Sequence, residues 1–169
     1  MDGPERRLLQ WLRDAHAMEL QAEKILSDQA DRIQHYPPLR ARIEEHLQET
    51  RTHARSVESC ITARGETTSG VKDVGAQLLA MAQGIAGVFA GDEVIKSVLA
   101  IYTFEHMEIA SYRIIIAAAK AVGDDNTAKI CDEILRSESA MADWLMENVG
   151  PLTREFLARE DETFEDAKR

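Results

Sequence analysis

Apolar residues recur at spacings of three and four through four long stretches of this chain, a rhythm that fits amphipathic helices packed side by side. The first stretch runs from about Pro4 to Ile33, with Leu9, Leu12, His16, Glu19, Glu23, Leu26, Ala30 and Ile33 on its stripe. Tyr36-Pro37-Pro38 ends it, because proline cannot continue a helix and restricts the residue before it. The second, from about Leu39 to Arg64, carries Leu39, Ile43, Leu47, Thr50, Ala54, Val57 and Ile61 and closes at Gly65, a C-cap residue. The third, from about Asp92 to Val122, carries Ile95, Val98, Tyr102, Glu105, Ile109, Tyr112 and Ile116. Asp92 is its predicted N-cap and Gly123 its C-cap. The fourth, from about Asp125 to Asn148, carries Cys131, Leu135, Glu138, Met141, Ala142 and Leu145. Gly150-Pro151 is expected to stop it, with a short fifth helix from about Leu152 to Ala158.

Short turns join the first stretch to the second and the third to the fourth, so each pair reads as an antiparallel hairpin. The long connection between the hairpins, Gly65 to Gly91, contains a helix-like piece from Val71 to Met81. That connectivity predicts an all-α, ferritin-like four-helix bundle: two antiparallel hairpins joined by a long crossover, with additional short helices. With 169 residues the chain fits one domain, a bundle over 1–158 followed by a charged tail over 159–169.

A formal net charge of -10 disfavours docking on nucleic-acid phosphates or on an anionic membrane. No stretch approaches ~18 uninterrupted apolar residues, and Met1 to Arg13 lacks the apolar core of a signal peptide. Cys60 and Cys131 are in no metal or redox motif and read as buried thiols. Together these lead to the expectation of a cytoplasmic protein with neither nucleic acid nor membrane as partner.

Three residues do not belong in an apolar core. Glu19, Glu105 and Glu138 each sit near the middle of a stripe, within about 30° of its centre at ~100° per residue. An unpaired buried carboxylate costs several kcal/mol, so it is neutralised, paired or metal-bound. No Lys or Arg occupies the stripe centres. In an assembled bundle the three acids would meet at one height and repel unless cations lay between them.

Di-iron bundles draw one Glu from each of two helices and Glu-x-x-His from the other two. Here the second stretch offers His46, Glu49 and His53, in the order His46-x-x-Glu49. Three residues after Glu138 stands Met141, a poor ligand for a hard metal ion. The third stretch adds Glu108, one turn beyond Glu105. His16, His53 and His106 read as supporting or surface histidines rather than ligands.

Four stretches carry a family resemblance: Leu12-Arg13-Asp14 through Glu19; His46-Leu47-Gln48-Glu49-Thr50; Glu105-His106-Met107-Glu108-Ile109-Ala110-Ser111-Tyr112; and Glu138 to Leu145. They resemble the YciE/YciF-like family of bacterial stress-associated proteins within the ferritin-like superfamily. The resemblance implies a homodimer with a dinuclear metal site and a role in stress response. It carries the family's acidic and histidine positions onto Glu19, His46, Glu49, Glu105, Glu108 and Glu138.

The expected cofactor is a pair of divalent metal ions, iron first and manganese second, since oxygen-rich sites favour hard cations. The expected function is peroxide or oxygen handling, or iron sequestration. The alternative is a dimeric structural or interaction scaffold with an empty or relic site. No phosphate-binding loop, nucleophile elbow or zinc-protease motif competes with these readings.

Overall fold

The computed structural model describes residues 3–68 and 93–162. These form four helices: α1, Gly3–Arg32; α2, Pro37–Thr62; α3, Glu93–Ala121; and α4, Asp125–Glu162. No strand occurs among the described residues. The predicted helix Val71–Met81, the predicted cap Asp92 and residues 163–169 of the tail lie outside them.

The turns follow local chemistry. Pro37 and Pro38 occupy the first positions of α2, where a missing N–H costs nothing. Tyr36, fully buried, anchors that turn. Gly123 adopts φ 78°, a left-handed conformation that glycine takes without Cβ strain. There Asp124 N donates to Ala119 O at 2.9 Å and Gly123 N to Lys120 O at 3.2 Å, closing α3 with a Schellman motif. Asp124 then caps α4, accepting from Thr127 N at 2.9 Å and from Thr127 Oγ1 at 2.6 Å. Its carboxylate also pairs with Arg64, just past the end of α2.

That pairing sets the topology. Because α2 and α3 end side by side, α3 begins at the end of the bundle opposite the end of α2, as two hairpins joined by a long crossover require. The beginning of the connection is pinned across α1, where Arg13 Nε donates to Thr67 O at 2.9 Å and Arg13 Nη2 to Glu66 at 3.0 Å. Around the bundle α1 packs on α2 and α3, and α4 on α3 and α2.

One expectation fails. Gly150-Pro151 does not stop the last helix, and there is no separate fifth helix: α4 runs unbroken from Asp125 to Glu162 with Pro151 inside it. Proline removes the bond to the carbonyl four residues back. Tertiary packing overrides that cost. Leu152 and Phe156 are buried in the same apolar cluster as Tyr36 and Leu39, and the Arg159 guanidinium lies 5.3 Å from the centre of the Tyr36 ring. Nearby carbonyls also gain side-chain donors: Asn148 Nδ2 reaches Trp144 O at 2.8 Å and Thr153 Oγ1 reaches Val149 O at 2.7 Å.

The core is divided. One apolar cluster, around Leu8, Leu12, Val57, Ile61, Tyr112 and Ile115, fills the end where α1 begins. The other, around Ile33, Leu39, Ile43, Val98, Ile101 and Met141, fills the opposite end. The buried polar residues Glu19, His46, Thr50, His53, Glu105, Glu108 and Glu138 come from positions between these ends on all four helices. Cys60 and Cys131 are both free and buried. No described helix is long and apolar enough to cross a membrane.

Candidate metal centre

Each helix delivers its polar residues from mid-length, flanked by apolar turns that seal the layer above and below. On α1, Glu19 is preceded by buried Met18 and Ala15 and followed by buried Ala22. On α2, His46, Thr50 and His53 share the buried face with Ile43, Leu47 and Val57. Glu105 and Glu108 stand one turn apart on α3, and Glu138 projects from α4. Glu19, His46 and Glu138 have no exposed surface, and Glu105 and Glu108 have 1% each.

Glu138 is the hub. Its Oε1 lies 2.7 Å from His53 Nδ1 and its Oε2 3.1 Å from His46 Nε2. Around it form two groups whose donor atoms all lie within 4.8 Å of one another: Glu19, His53 and Glu138, and His46, Glu105 and Glu138. The two imidazole rings are 6.4 Å apart. In the second group His46 Nε2 also sits 3.2 Å from Glu105 Oε2. In the first, His53 Nδ1 is 3.7 Å from Glu19 Oε2.

These atoms are near one another but are poorly placed to satisfy each other. Glu19 Oε2, His53 Nδ1, Glu108 Oε1 and both oxygens of Glu138 are buried without a well-aligned hydrogen bond, the close His53–Glu138 approach included. Buried polar atoms left unsatisfied are rare in native proteins and call for an explanation, a bound ion among them. The donor set fits such an ion. It combines carboxylate oxygens with imidazole, the mixture that iron and manganese accept. Counted with neutral histidines, Glu19, Glu105, Glu108 and Glu138 carry four negative charges, matching two divalent cations.

Without cations, protons do the neutralising. Burial would push His46 down, but Glu105, Glu138 and Glu49 outweigh it and hold the imidazole at about 12. Burial likewise opposes the charge on His53, which Glu138 and Glu19 hold at about 9. Glu138 is drawn the other way: burial would raise it, but the two imidazoles hold it down at about 2. Burial raises Glu105 to about 8, against the pull of His46. Glu108 is raised well above the usual carboxylate range by burial and by the facing acids Glu138, Glu19 and Glu105. The layer without cations therefore favours charged imidazoles around an ionised hub and the protonated forms of Glu105 and Glu108.

Of the six residues expected from sequence, the structure gathers Glu19, His46, Glu105 and Glu138 into the two groups. Glu108 is in neither group, but it is buried one turn from Glu105 and feels the charge of Glu138, Glu19 and Glu105. Glu49 stands behind His46 instead: its Oε2 is 2.7 Å from His46 Nδ1 and 3.4 Å from Arg42 Nη1, and its side chain is 35% exposed. His53, set aside in the sequence reading, belongs to the first group. Its signal was its place seven residues after His46, two helical turns along the same face. His16 is half-buried and His106 is exposed, its ring 4.4 Å from that of Tyr102. Tyr112, read only as a core anchor, donates its hydroxyl to Glu19 Oε1.

Comparison with known proteins agrees with this architecture. The model of a family described as a domain of unknown function, DUF892, matches residues 4–158. A solved protein of Xanthomonas campestris pv. campestris is 38% identical, with 95% of this chain and 99% of that chain covered at a TM-score of 0.81. The E. coli stress protein YciF is 22% identical, with 88% and 96% covered at a TM-score of 0.76. A dodecameric thioferritin of Bacteroides fragilis, a bacterioferritin-related protein, is 17% identical, with 90% of each chain covered at a TM-score of 0.68. The last two likenesses establish the fold: an all-α, ferritin-like four-helix bundle.

Proposed function

The chain belongs to the DUF892 family, and with that as premise we propose that its bundle holds two metal ions, iron before manganese, and uses them in peroxide or oxygen handling or in iron sequestration under stress. The observation that carries this reading is the crowding of donors around Glu138: five buried atoms on Glu19, His53, Glu108 and Glu138 that no well-aligned hydrogen bond satisfies.

In this reading Glu19 and His53 would hold one ion, and His46 and Glu105 the other. Glu138, which approaches His53 with one oxygen and His46 with the other, would serve both. Glu108 adds the fourth carboxylate from α3. A pair of redox-active ions would supply electrons for reducing peroxide or oxygen. The protein's own part is to present six donors at once, to shed the protons that stand in for the ions, and to exclude bulk water by the apolar ends of the bundle. Two of the donors are imidazoles, so the site remains dominated by hard oxygen, which disfavours copper and zinc relative to iron and manganese.

The test is anaerobic loading of wild type and Glu105→Gln with iron(II), followed by measurement of bound metal per chain and of peroxide consumption. Wild type should bind two ions and consume peroxide. Glu105→Gln, which loses an anionic ligand from one group, should retain less metal and turn over peroxide more slowly. Equal metal and equal turnover in both proteins would remove Glu105 from the site. Failure of wild type to bind metal would favour the scaffold alternative.

A further inference from the structure

The donors of the proposed centre are themselves held by other side chains, and the two best-defined holders act on different groups. Tyr112 is fully buried, and its hydroxyl donates to Glu19 Oε1. That bond occupies one oxygen of Glu19 and leaves the other, Oε2, buried and unbonded 3.7 Å from His53 Nδ1. Glu19 is thereby set to offer a single oxygen in a fixed direction. In the other group His46 Nδ1 lies 2.7 Å from Glu49 Oε2, with Arg42 bracing the same carboxylate oxygen at 3.4 Å. A carboxylate accepting the Nδ1 proton fixes the tautomer and aims Nε2 at Glu105 and Glu138. It also makes the imidazole a stronger ligand.

We infer that Tyr112 and Glu49 are positioning residues for separate halves of the centre, Tyr112 for the Glu19–His53–Glu138 half and Glu49 for the His46–Glu105–Glu138 half. This rests on the metal-binding reading above and deepens it: the two cation positions differ, and each can be weakened without the other. Their surroundings differ in the same sense. Tyr112 is fully buried, whereas the Glu49 side chain is 35% exposed.

The experiment is an anaerobic cobalt(II) titration of the metal-free full chain, followed by visible absorption and by direct metal analysis. Wild type should take up two ions per chain in two resolvable steps. Tyr112→Phe keeps the buried ring and removes only the donor; Glu49→Ala removes the acceptor. Each should weaken one step by roughly 10–100-fold, the usual effect of losing an outer-shell partner, and leave the other intact. The two variants should retain different visible bands. Glu49→Gln keeps an acceptor for Nδ1 and should recover part of the loss, which a merely structural contact would not require. Helical circular dichroism of each metal-free variant checks the fold. If Tyr112→Phe loses it, Glu49→Ala and Glu49→Gln decide the question alone. Both variants weakening the same step, or neither weakening any, overturns the inference while the metal reading stands. A wild type that binds no cobalt overturns both.

Discussion

Removing the charge of Glu138 should cost the metal-free protein most of its His53 ion pair, and that share of the cost should fade at alkaline pH. His53 ordinarily titrates at 6.5 and is held at about 9 in the fold. Its folded value is raised, so its contribution is fully present below about 6.5 and is lost as pH rises through 9. A rise of that size is worth about 3 kcal/mol at roughly 1.4 kcal/mol per pH unit. Glu138 is the nearer partner, at 2.7 Å against 3.7 Å for Glu19. Its share is therefore the larger one, about 2 kcal/mol. For a chain of this length that corresponds to roughly 4–8 °C in melting temperature. The assay is thermal unfolding of chelator-treated wild type and Glu138→Gln, read by circular dichroism from pH 6 to 9. The gap should be largest at pH 6 and narrow towards pH 9 by the share of His53, while the share of His46, held at about 12, remains. Glu105, raised to about 8, makes both proteins lose stability over the same window, so the gap, rather than either curve, is diagnostic. Parallel curves with a constant gap would show that Glu138 does not hold the His53 proton.

Three further outcomes are expected. A strong chelator should lower the melting temperature of metal-loaded protein, since ions at a hundredfold excess over their dissociation constant stabilise the native state by about 2.7 kcal/mol; an unchanged melt of protein shown to carry metal would argue against a bridging site. Asp124→Ala removes the N-cap of α4 and the partner of Arg64, and should cost about 1 kcal/mol, or roughly 2–4 °C; a melt within error of wild type would sink that account. Because Asp124 is held below its ordinary value, this contribution should be present above pH 4 and fade as pH falls below it. Leu20 and Ile114 are 49% and 51% exposed, and we expect a homodimer to cover part of such surface; sedimentation at one chain's mass at micromolar concentration would refute it.

The four helices were legible because their period is long, repeated and bounded by Pro37-Pro38, Gly65 and Gly123. Pro151 misled because the rule for proline is local, whereas the force that keeps α4 helical through it is tertiary: Leu152, Phe156 and Arg159 pack against the α1–α2 turn. The rotation of α3 was also uncertain from sequence. Ile109 and Ile116 were placed on its stripe, yet the structure half-buries them and buries Glu108, Ile115 and Ala119 instead. A helix apolar around much of its girth gives little information about which side faces inward.

The acids in the layer could be read singly, since a carboxylate on a stripe centre is an anomaly wherever it falls. The histidines could not, because the buried face of α2 is wider than one stripe: Leu39, Ile43, Leu47, Ala54 and Val57 share it with His46 and His53. The stripe of α2 left out both imidazoles, His46 entered the ligand set only through the family resemblance, and Met141 stood where a second His was expected. In the structure Met141 is fully buried in an apolar cluster, and the second imidazole comes from α2 itself. His46 and His53 are seven residues apart, about 10.5 Å along the helix axis, and their rings converge to 6.4 Å. The proposed centre thus keeps four carboxylates and two imidazoles while taking both imidazoles from one helix. The consequence is mechanical. A shift of α2 along its axis would move both imidazoles together and change the reach of each to Glu138 at once.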